Sequence, residues 1–599
     1  MKLHQQKKKK LIKKKIETKN YVILHLKNIT QFISKMAEFK ACDRQYVKTT
    51  WEPSAFITAL EYMKVTNINA LENKLLTGDK YDFKKKEIVR SSPFRKQVLP
   101  GILVLSGNTY GRYKNKLYYK CIPNDKSLPV FLVPYQEKNI NFNKSKIDKF
   151  VLFVFQKWTD KHPFGILQQT LGDVSDMSAF EEHQMNCKDI NHSIQKFSKH
   201  TFKIIKKKTS EVKDIIDDIV EKYDIIDRTN ERVISVDPEG CTDIDDAFSI
   251  KFDSDSPWKT RISIYIANVP LWFDYLDLWS HLDRKVSTIY LSNERRAMLP
   301  TILSENLCSL KKNTRRFAIA MDLLLLGSKI NSVEFNNVVI KVDKNYSYDD
   351  KSLIDDNVYH EAEKFARKIN DIYKFIDKVN DSHEVVQLFM VMMNNFVGKY
   401  LRDEIDGKAI YRSFRMAPIS ENIRIPDEMK DFARTWKSSG GIYTSNSNSD
   451  HDMMNSVIDV YAHSTSPIRR LVDLVNMTLL THSKGIIRDD GKRFADNWID
   501  KLAYINNQMK STRKVQNDVK LLNTCLNIEN LSDKTFEGYI IEVEQENEER
   551  KYTVLLKEIN CISIFRSEKQ YDLYDKGEYS LHIFNDEYNL KQKIRIFHL

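Results

Sequence analysis

No run of 18 consecutive apolar residues occurs in the 599-residue chain, whose most hydrophobic stretches are broken by Asp322 and Gln387. That length is what a bilayer-spanning helix needs, so the pattern excludes one. The chain also opens without a secretory signal, on lysines rather than an apolar core. Cysteine is sparse: the seven are odd in number and scattered without metal-type spacing. That usage indicates reduced thiols in an intracellular protein rather than a disulfide framework or a zinc site. Basic charge is also scarcer in the body of the chain than the total suggests. The net charge is +13, but residues 1–20 hold nine lysines and one glutamate, so only +5 remains for the other 579 residues. A nucleic-acid path through the folded body must therefore be a local basic groove. The tail is read equally as a disordered solubilising segment or as a nuclear-import or RNA-tethering element.

Against these absences stands one dense feature. Val233–Ile250 reads VISVDPEGCTDIDDAFSI and places five carboxylates (Asp237, Glu239, Asp243, Asp245 and Asp246) within ten residues, with Arg232 and Lys251 just outside the stretch. Like charges at this density repel, and burial without a counter-charge would push some to protonate. The flanking runs VISV and AFSI are β-branched and apolar, as expected of buried strands, so the acids sit where two core segments meet. An acidic, solvated turn is the plain alternative. A calcium EF-hand loop is ruled out, because Phe248 stands where glycine is required and Ser254 at the twelfth position where glutamate belongs. Oxygen ligands without accompanying histidine or cysteine suit a hard divalent cation such as Mg²⁺.

The string Asp237-Pro238, then Asp243, Asp245, Asp246 and Ala247, resembles the signature of the RNase II (RNB) family of processive 3′-to-5′ exoribonucleases. Two further stretches resemble it. Residues 261–321 run ISIYIANV, STIYL, MLPTILSENLCSL and RRFAIAM in the family's order, and residues 461–480 contain Thr-Ser-Pro-Ile-Arg-Arg. In that second stretch Ser466 suits an N-cap, Pro467 a first helical position, and Ile468, Leu471, Val472, Val475 and Leu479 recur at helical spacing up to Gly485. A helix start with Arg469 and Arg470 in its first turn reads as a phosphate site; the competing reading pairs Arg469 with Asp473 on the surface.

The resemblance implies a multidomain α/β and β architecture, closer to the eukaryotic exosome-type members. Its expected parts are a basic tail (1–40), an N-terminal cold-shock/OB-like RNA-binding region (41–200), a connector with lysines at 206–208 (201–230), a mixed α/β RNB catalytic domain (231–530) and an S1-type OB barrel (531–599). One N-terminal barrel is legible, with Tyr110, Tyr113, Tyr118, Tyr119 and Trp158 as stacking candidates, most of them expected in the core. The resemblance is not expected to extend to the endonuclease domain of the exosome subunit, for which the segment before residue 40 is too short. The long apolar helix at 384–405 is expected to be central core.

By resemblance, Asp237, Asp243, Asp245 and Asp246 frame Mg²⁺, with Mn²⁺ able to substitute, and Asp245 is most closely tied to the chemical step. Arg469 and Arg470 would neutralise the scissile phosphate, and Tyr290 would clamp a base. The expected activity is processive hydrolysis of single-stranded RNA from its 3′ end to nucleoside 5′-monophosphates. The alternative is a catalytically impaired RNA-binding scaffold of the same fold. The expected location is intracellular and cytoplasmic, with the tail compatible with import into the nucleus. No membrane partner is expected, and the sequence does not specify an RNA-decay complex. Departures from the family pattern are Tyr265, Asn268, Gln387, Phe414, Asn476 and Gln516. Changes around a metal site lower activity by about 10- to 100-fold in comparable cases.

Overall fold

The computed structural model describes residues 36–53, 68–136, 146–413, 425–447 and 458–599, with short gaps at 84, 213, 254–255, 257–258, 293, 406–407, 431, 433–440, 547–548 and 586–591. Residues 1–35 of the basic tail and Phe414 lie outside the described residues, whereas residues 36–40, the end of the segment read as tail, fall in the strand Met36–Ala41. The chain forms two compact units, one running to Lys188 together with Ile583–Lys593, the other comprising Asp189–His582 with Ile594–Leu599.

The first unit contains two sheets where the sequence made one barrel legible. Four short strands (Met36–Ala41, Thr49–Pro53, Lys80–Asp82 and Glu87–Arg90) form an antiparallel sheet over Phe39, Trp51, Leu75 and Tyr81. Strands of three to six residues show too few alternations to be read in advance. Buried Asp79 stabilises their junction with the next sheet by pairing with Arg95 at 2.7 Å and accepting from the backbone of Leu76 and Ser92. The second sheet comprises Val98–Leu103, Thr109–Tyr113, Lys116–Pro123, Phe131–Tyr135, Lys149–Lys157 and Phe164–Asp173. It closes into a barrel because Val98–Leu103 pairs with both Lys149–Lys157 and Lys116–Pro123.

In the second unit the VISV and AFSI runs become strands Val233–Asp237 and Asp246–Phe252, as their composition requires. The sheet continues through Lys259–Ala267 and Arg315–Leu326 to Lys329–Ser347. That last strand, 19 residues long, runs antiparallel to Arg315–Leu326 and then parallel to Val233–Asp237, which closes the sheet. Inside it Arg228 grips Asp322 through two hydrogen bonds of 2.7 and 2.6 Å, and Ser263 and Asn336 also donate to that carboxylate.

Helix Ser382–Glu404 is core, as its apolar composition predicts. Gly398 lets the extended segment at 460–464 cross it closely, since a Cβ there would stand 3.2 Å from the Ala462 nitrogen. Asn394 and Asn395 hold that segment: Asn394 Oδ1 accepts from the Ser464 amide at 2.8 Å, and Asn395 donates to the Val460 carbonyl at 2.8 Å.

The following helix differs from expectation. It spans Leu471–Ser483, with Arg470 at its N-cap, so Ser466 and Pro467 belong to a preceding turn. In that turn the amides of Arg469 and Arg470 both donate to the Ser466 carbonyl. The cause is Asp473, in the helix's first turn, which accepts the Ser466 amide at 2.8 Å and draws the chain back before the helix begins. Helices Asp489–Ile499 and Leu502–Leu526 lead to a five-stranded sheet opening at Thr535–Glu546.

Candidate active site

The acidic stretch is a loop pinned at three places. Asp237 ends its strand, and its carbonyl accepts the Tyr348 amide at 3.1 Å. Gly240, at φ +73°, lets the chain reverse, a conformation a side chain would strain. Ile244 is buried and held on both sides: its amide donates to Ser309 Oγ at 3.1 Å, and its carbonyl accepts from Leu310 at 3.0 Å. The SENLCSL segment thus acts as the clamp for the acids.

The expected set of four ligands divides into two pairs. Asp243 and Asp245 already have cationic partners. Asp243 is ion-paired to Arg295, whose other nitrogen pairs with Glu305, and its second oxygen accepts from the Tyr290 hydroxyl at 3.3 Å. Asp245 accepts Arg469 Nε at 3.0 Å and the Ile468 amide at 2.9 Å. Burial still pushes the Asp245 carboxyl up to about 7 against the pull of Arg469. Asp237 and Asp246 form no ion pair among the described residues. Burial pushes Asp237 up to about 6, opposed by the Ser235 hydroxyl that donates to it at 2.8 Å. Asp246 is raised well above the usual carboxylate range by burial and then by its neighbours Asp237 and Asp245.

Among the described residues no three carboxylate, imidazole or thiol groups converge as a metal cage. The donor chemistry nevertheless fits a hard cation. Mg²⁺ characteristically uses one or two protein carboxylates and completes its shell with water and substrate phosphate. Asp237 and Asp246 are two neighbouring oxygen donors that form no ion pair among the described residues, with Arg469 acting on them only at longer range. They would hold the ion, with Asp243 and Asp245 fixed beside them.

The two arginines have different roles. Arg469 faces the acids, whereas Arg470 is turned to Asp473 at 2.8 Å and to Ser466 Oγ at 3.2 Å. The competing reading, an ion pair of Arg469 with Asp473, is met by Arg470 instead, while Arg469 pairs with Asp245. Tyr290 remains 42% exposed while its hydroxyl is anchored at Asp243, so its ring can offer a face to a ligand. In the N-terminal barrel, Tyr118, Tyr119 and Trp158 are buried, whereas Tyr113 is exposed and the Tyr110 ring lies 5.3 Å from Lys120 Nζ.

Three side chains near the acids escaped the sequence reading: Arg295, Glu305 and Tyr348. Arg295 lies only five residues past Tyr290, but nothing local ties it to Asp243, 52 positions away. The departures from the family pattern are mostly accommodated by hydrogen bonds. Tyr265 bonds Ser249 at 2.9 Å, Asn268 caps the helix Val269–Tyr275, and Asn476 bonds the Ile410 backbone and the His463 carbonyl. Gln387 is exposed on the central helix, and Gln516 is half-buried on Leu502–Leu526.

Residues 225–374 match the RNB domain family. The chain is 26% identical over 254 residues to DIS3-like exonuclease 2 of Schizosaccharomyces pombe, covering 39% of this chain and 26% of that protein. It is 24% identical over 402 residues to the human exosome complex exonuclease RRP44, covering 54% and 40%. The chain thus matches well under two-thirds of the length of these relatives. Its fold is similar to that of Mycoplasma genitalium RNase R in complex with ribose-methylated single-stranded RNA, at a TM-score of 0.64 and 16% identity over 88% of this chain and 95% of that one. It is also similar to yeast Ssd1, described as a pseudonuclease, at a TM-score of 0.54 and 14% identity over 80% and 66%. Residues 225–374 thus carry an RNB domain, and the acidic loop and its clamp lie within it while the TSPIRR turn folds against it from farther along the chain.

Proposed function

We propose that the protein is a divalent-metal-dependent exoribonuclease that shortens single-stranded RNA from the 3′ end, processively, and releases nucleoside 5′-monophosphates. The observation that carries this reading is the junction of Asp245 with Arg469 and the Ile468 amide, which brings the acidic loop and the TSPIRR turn to one place. A bound Mg²⁺ or Mn²⁺ would lower the pKa of a water molecule and offset charge on the phosphate in the transition state. The chain's own residues do the remaining work. Asp245 orients Arg469 toward the phosphate, Asp243 holds the Tyr290 hydroxyl, and the Tyr290 ring stacks on a base near the 3′ end, an interaction indifferent to sequence. Arg470 supports the turn through Asp473 rather than meeting the phosphate. The N-terminal barrel and the C-terminal sheet are assigned to RNA binding, the location is intracellular and cytoplasmic, and decay-complex partners are left to experiment.

The test is incubation of 5′-labelled RNA and DNA oligomers with Mg²⁺ or EDTA. RNA should shorten from the 3′ end with Mg²⁺ only, and intact RNA in all conditions would reject the reading. A second reading, an RNA-binding scaffold without turnover, is favoured by the Arg295–Asp243 pair, which already neutralises one acid, and by the similarity to Ssd1. Binding without shortening in the same assay would select it.

A further inference from the structure

Helix Gln195–Glu211 has a sharply divided surface. Its inner side carries Phe197, Thr201, Ile204 and Ile205; Phe197 meets the Phe273 ring at 6.0 Å, and Lys208 turns inward over the Tyr275 ring at 4.9 Å. Its outer side carries Lys196, Lys199, Lys203, Lys206 and Lys207, and among them Phe202 is 61% exposed. Phe202 is three residues from Lys199 and four from Lys206, so all three share one helical face.

Two features separate this face from an ordinary solvated helix. Three other charged helices balance their cations internally: Lys222 pairs with Asp218, Arg367 with Glu363 and Lys492 with Asp496. Here six lysines meet one acid, Glu211, which lies 3.6 Å from Lys207. Lys196, Lys199, Lys203 and Lys206 form no ion pair among the described residues. A large apolar ring amid unpaired cations is also costly to leave in water and suits a ligand with both charge and flat apolar faces.

We infer that this helix is an accessory docking face for single-stranded RNA, engaging the strand 5′ of the segment held at the acidic site. The lysines span about 16 Å along the axis at about 1.5 Å per residue, enough to follow several successive phosphates, with Phe202 as a stacking platform between them. The helix packs against the turn Ile302–Leu307, which carries Glu305, the partner of Arg295 at the acidic site. The lysine face and the acids therefore belong to neighbouring elements. The proposal rests on RNA being the ligand of that site, but not on turnover there.

The test uses the full chain and two variants, Lys199→Gln/Lys203→Gln/Lys206→Gln and Phe202→Ala, all at exposed side chains. Fluorescent RNAs of about 5 and about 25 nucleotides are titrated at four salt concentrations in EDTA, so that binding is read without hydrolysis. For the long RNA the triple variant should bind at least about tenfold more weakly, with the slope of log K against log salt smaller by about 0.7 per lost phosphate contact. Phe202→Ala should weaken it by roughly fivefold or more, the lower end of base-stacking effects. The short RNA should bind all three proteins alike. Photo-crosslinking of long RNA bearing 4-thiouridine in its 5′ half should label the peptide containing Phe202. Unchanged long-RNA affinity and slope in both variants would overturn the proposal, including the case in which the face instead docks an acidic protein. So would absence of RNA binding by the unaltered chain, which would remove the proposed function as well. RNA binding that depends on the helix without any hydrolysis in Mg²⁺ would uphold the docking face while rejecting catalysis.

Discussion

Asp245 and Arg469 stand 224 positions apart in the chain, and Arg469 Nε donates to Asp245 Oδ2 at 3.0 Å while the neighbouring Ile468 amide donates to Oδ1 at 2.9 Å. One carboxylate thus fixes both the direction of the arginine and the position of the turn that carries it. Charge-assisted bonds of this kind are roughly twice as strong as neutral ones.

Asp245→Asn should therefore do more than remove one negative charge. It should lower turnover by about a hundredfold or more, the scale seen when a group acting on transition-state charge is removed. RNA affinity should stay within a few-fold or rise, because repulsion toward phosphate falls. Single-turnover hydrolysis and equilibrium binding measured on the same preparation check this, and parallel loss of both would reject it.

The Tyr290 ring and its hydroxyl should separate experimentally. Tyr290→Ala removes the stacking face and should change the length of the final product or weaken the grip on short RNA by roughly 1 kcal/mol or more. Tyr290→Phe keeps the face and loses only the 3.3 Å bond to Asp243, so its product length should match the unaltered protein. Denaturing gels of the limit digests distinguish the two, and an unchanged pattern for Tyr290→Ala would reduce the residue to packing.

The acids should make stability depend on pH and metal together. Asp237 stands at about 6 and Asp245 at about 7, with Asp246 also raised, all above the value near 4 of an unfolded carboxyl. Between about pH 4 and 7 the folded chain holds protons on these groups that the unfolded chain has released, so their contribution to stability falls as pH rises through that window. Asp246→Asn should therefore stabilise the EDTA-treated protein relative to the unaltered chain at about pH 8, and much less at about pH 5. Added Mg²⁺ should raise the melting temperature of the unaltered chain more at the higher pH, since binding competes with protons. Melts monitored by circular dichroism test this, and a variant effect independent of pH would contradict it.

Arg228 and Asp322 form a buried bidentate pair whose value is clearest when broken. Arg228→Ala should destabilise the second unit by about 3–5 kcal/mol, because it leaves Asp322 charged and buried with the Ser263 and Asn336 hydrogen bonds and the more distant Arg261, at 3.9 Å, to serve it. Replacing both, as Arg228→Met with Asp322→Leu, should recover much of that loss. Urea unfolding of the three proteins decides, and a double variant no better than the single would count against it.

Deleting residues 1–20 should reduce the salt slope of RNA binding, because the deletion removes +8 of the +13 net charge. Turnover of short oligomers should survive, since the acids, Tyr290 and Arg469 lie far beyond the deletion. An identical slope in the truncated protein would assign the lysines to solubility or cellular address.

Much of the molecule was legible in the sequence because its determinants are local. Short β-branched apolar runs specify the strands flanking the acids, a largely apolar composition marks Ser382–Glu404 as core, and five carboxylates in ten residues announce a candidate site. Pairwise electrostatics between distant segments was not legible, because a charge carries no record of its partner in its own neighbourhood. Only the tertiary structure assigned Arg295 to Asp243, turned Arg470 away to Asp473 and left Asp237 and Asp246 without an ion pair among the described residues. It also moved the start of the helix from Pro467 to Leu471, where a side chain seven residues on from Ser466 outcompetes a local capping preference. Residue types along the chain thus determined which chemistry could be present, and packing at ångström separations decided which acids have a partner, since Coulomb energy depends on distance in space.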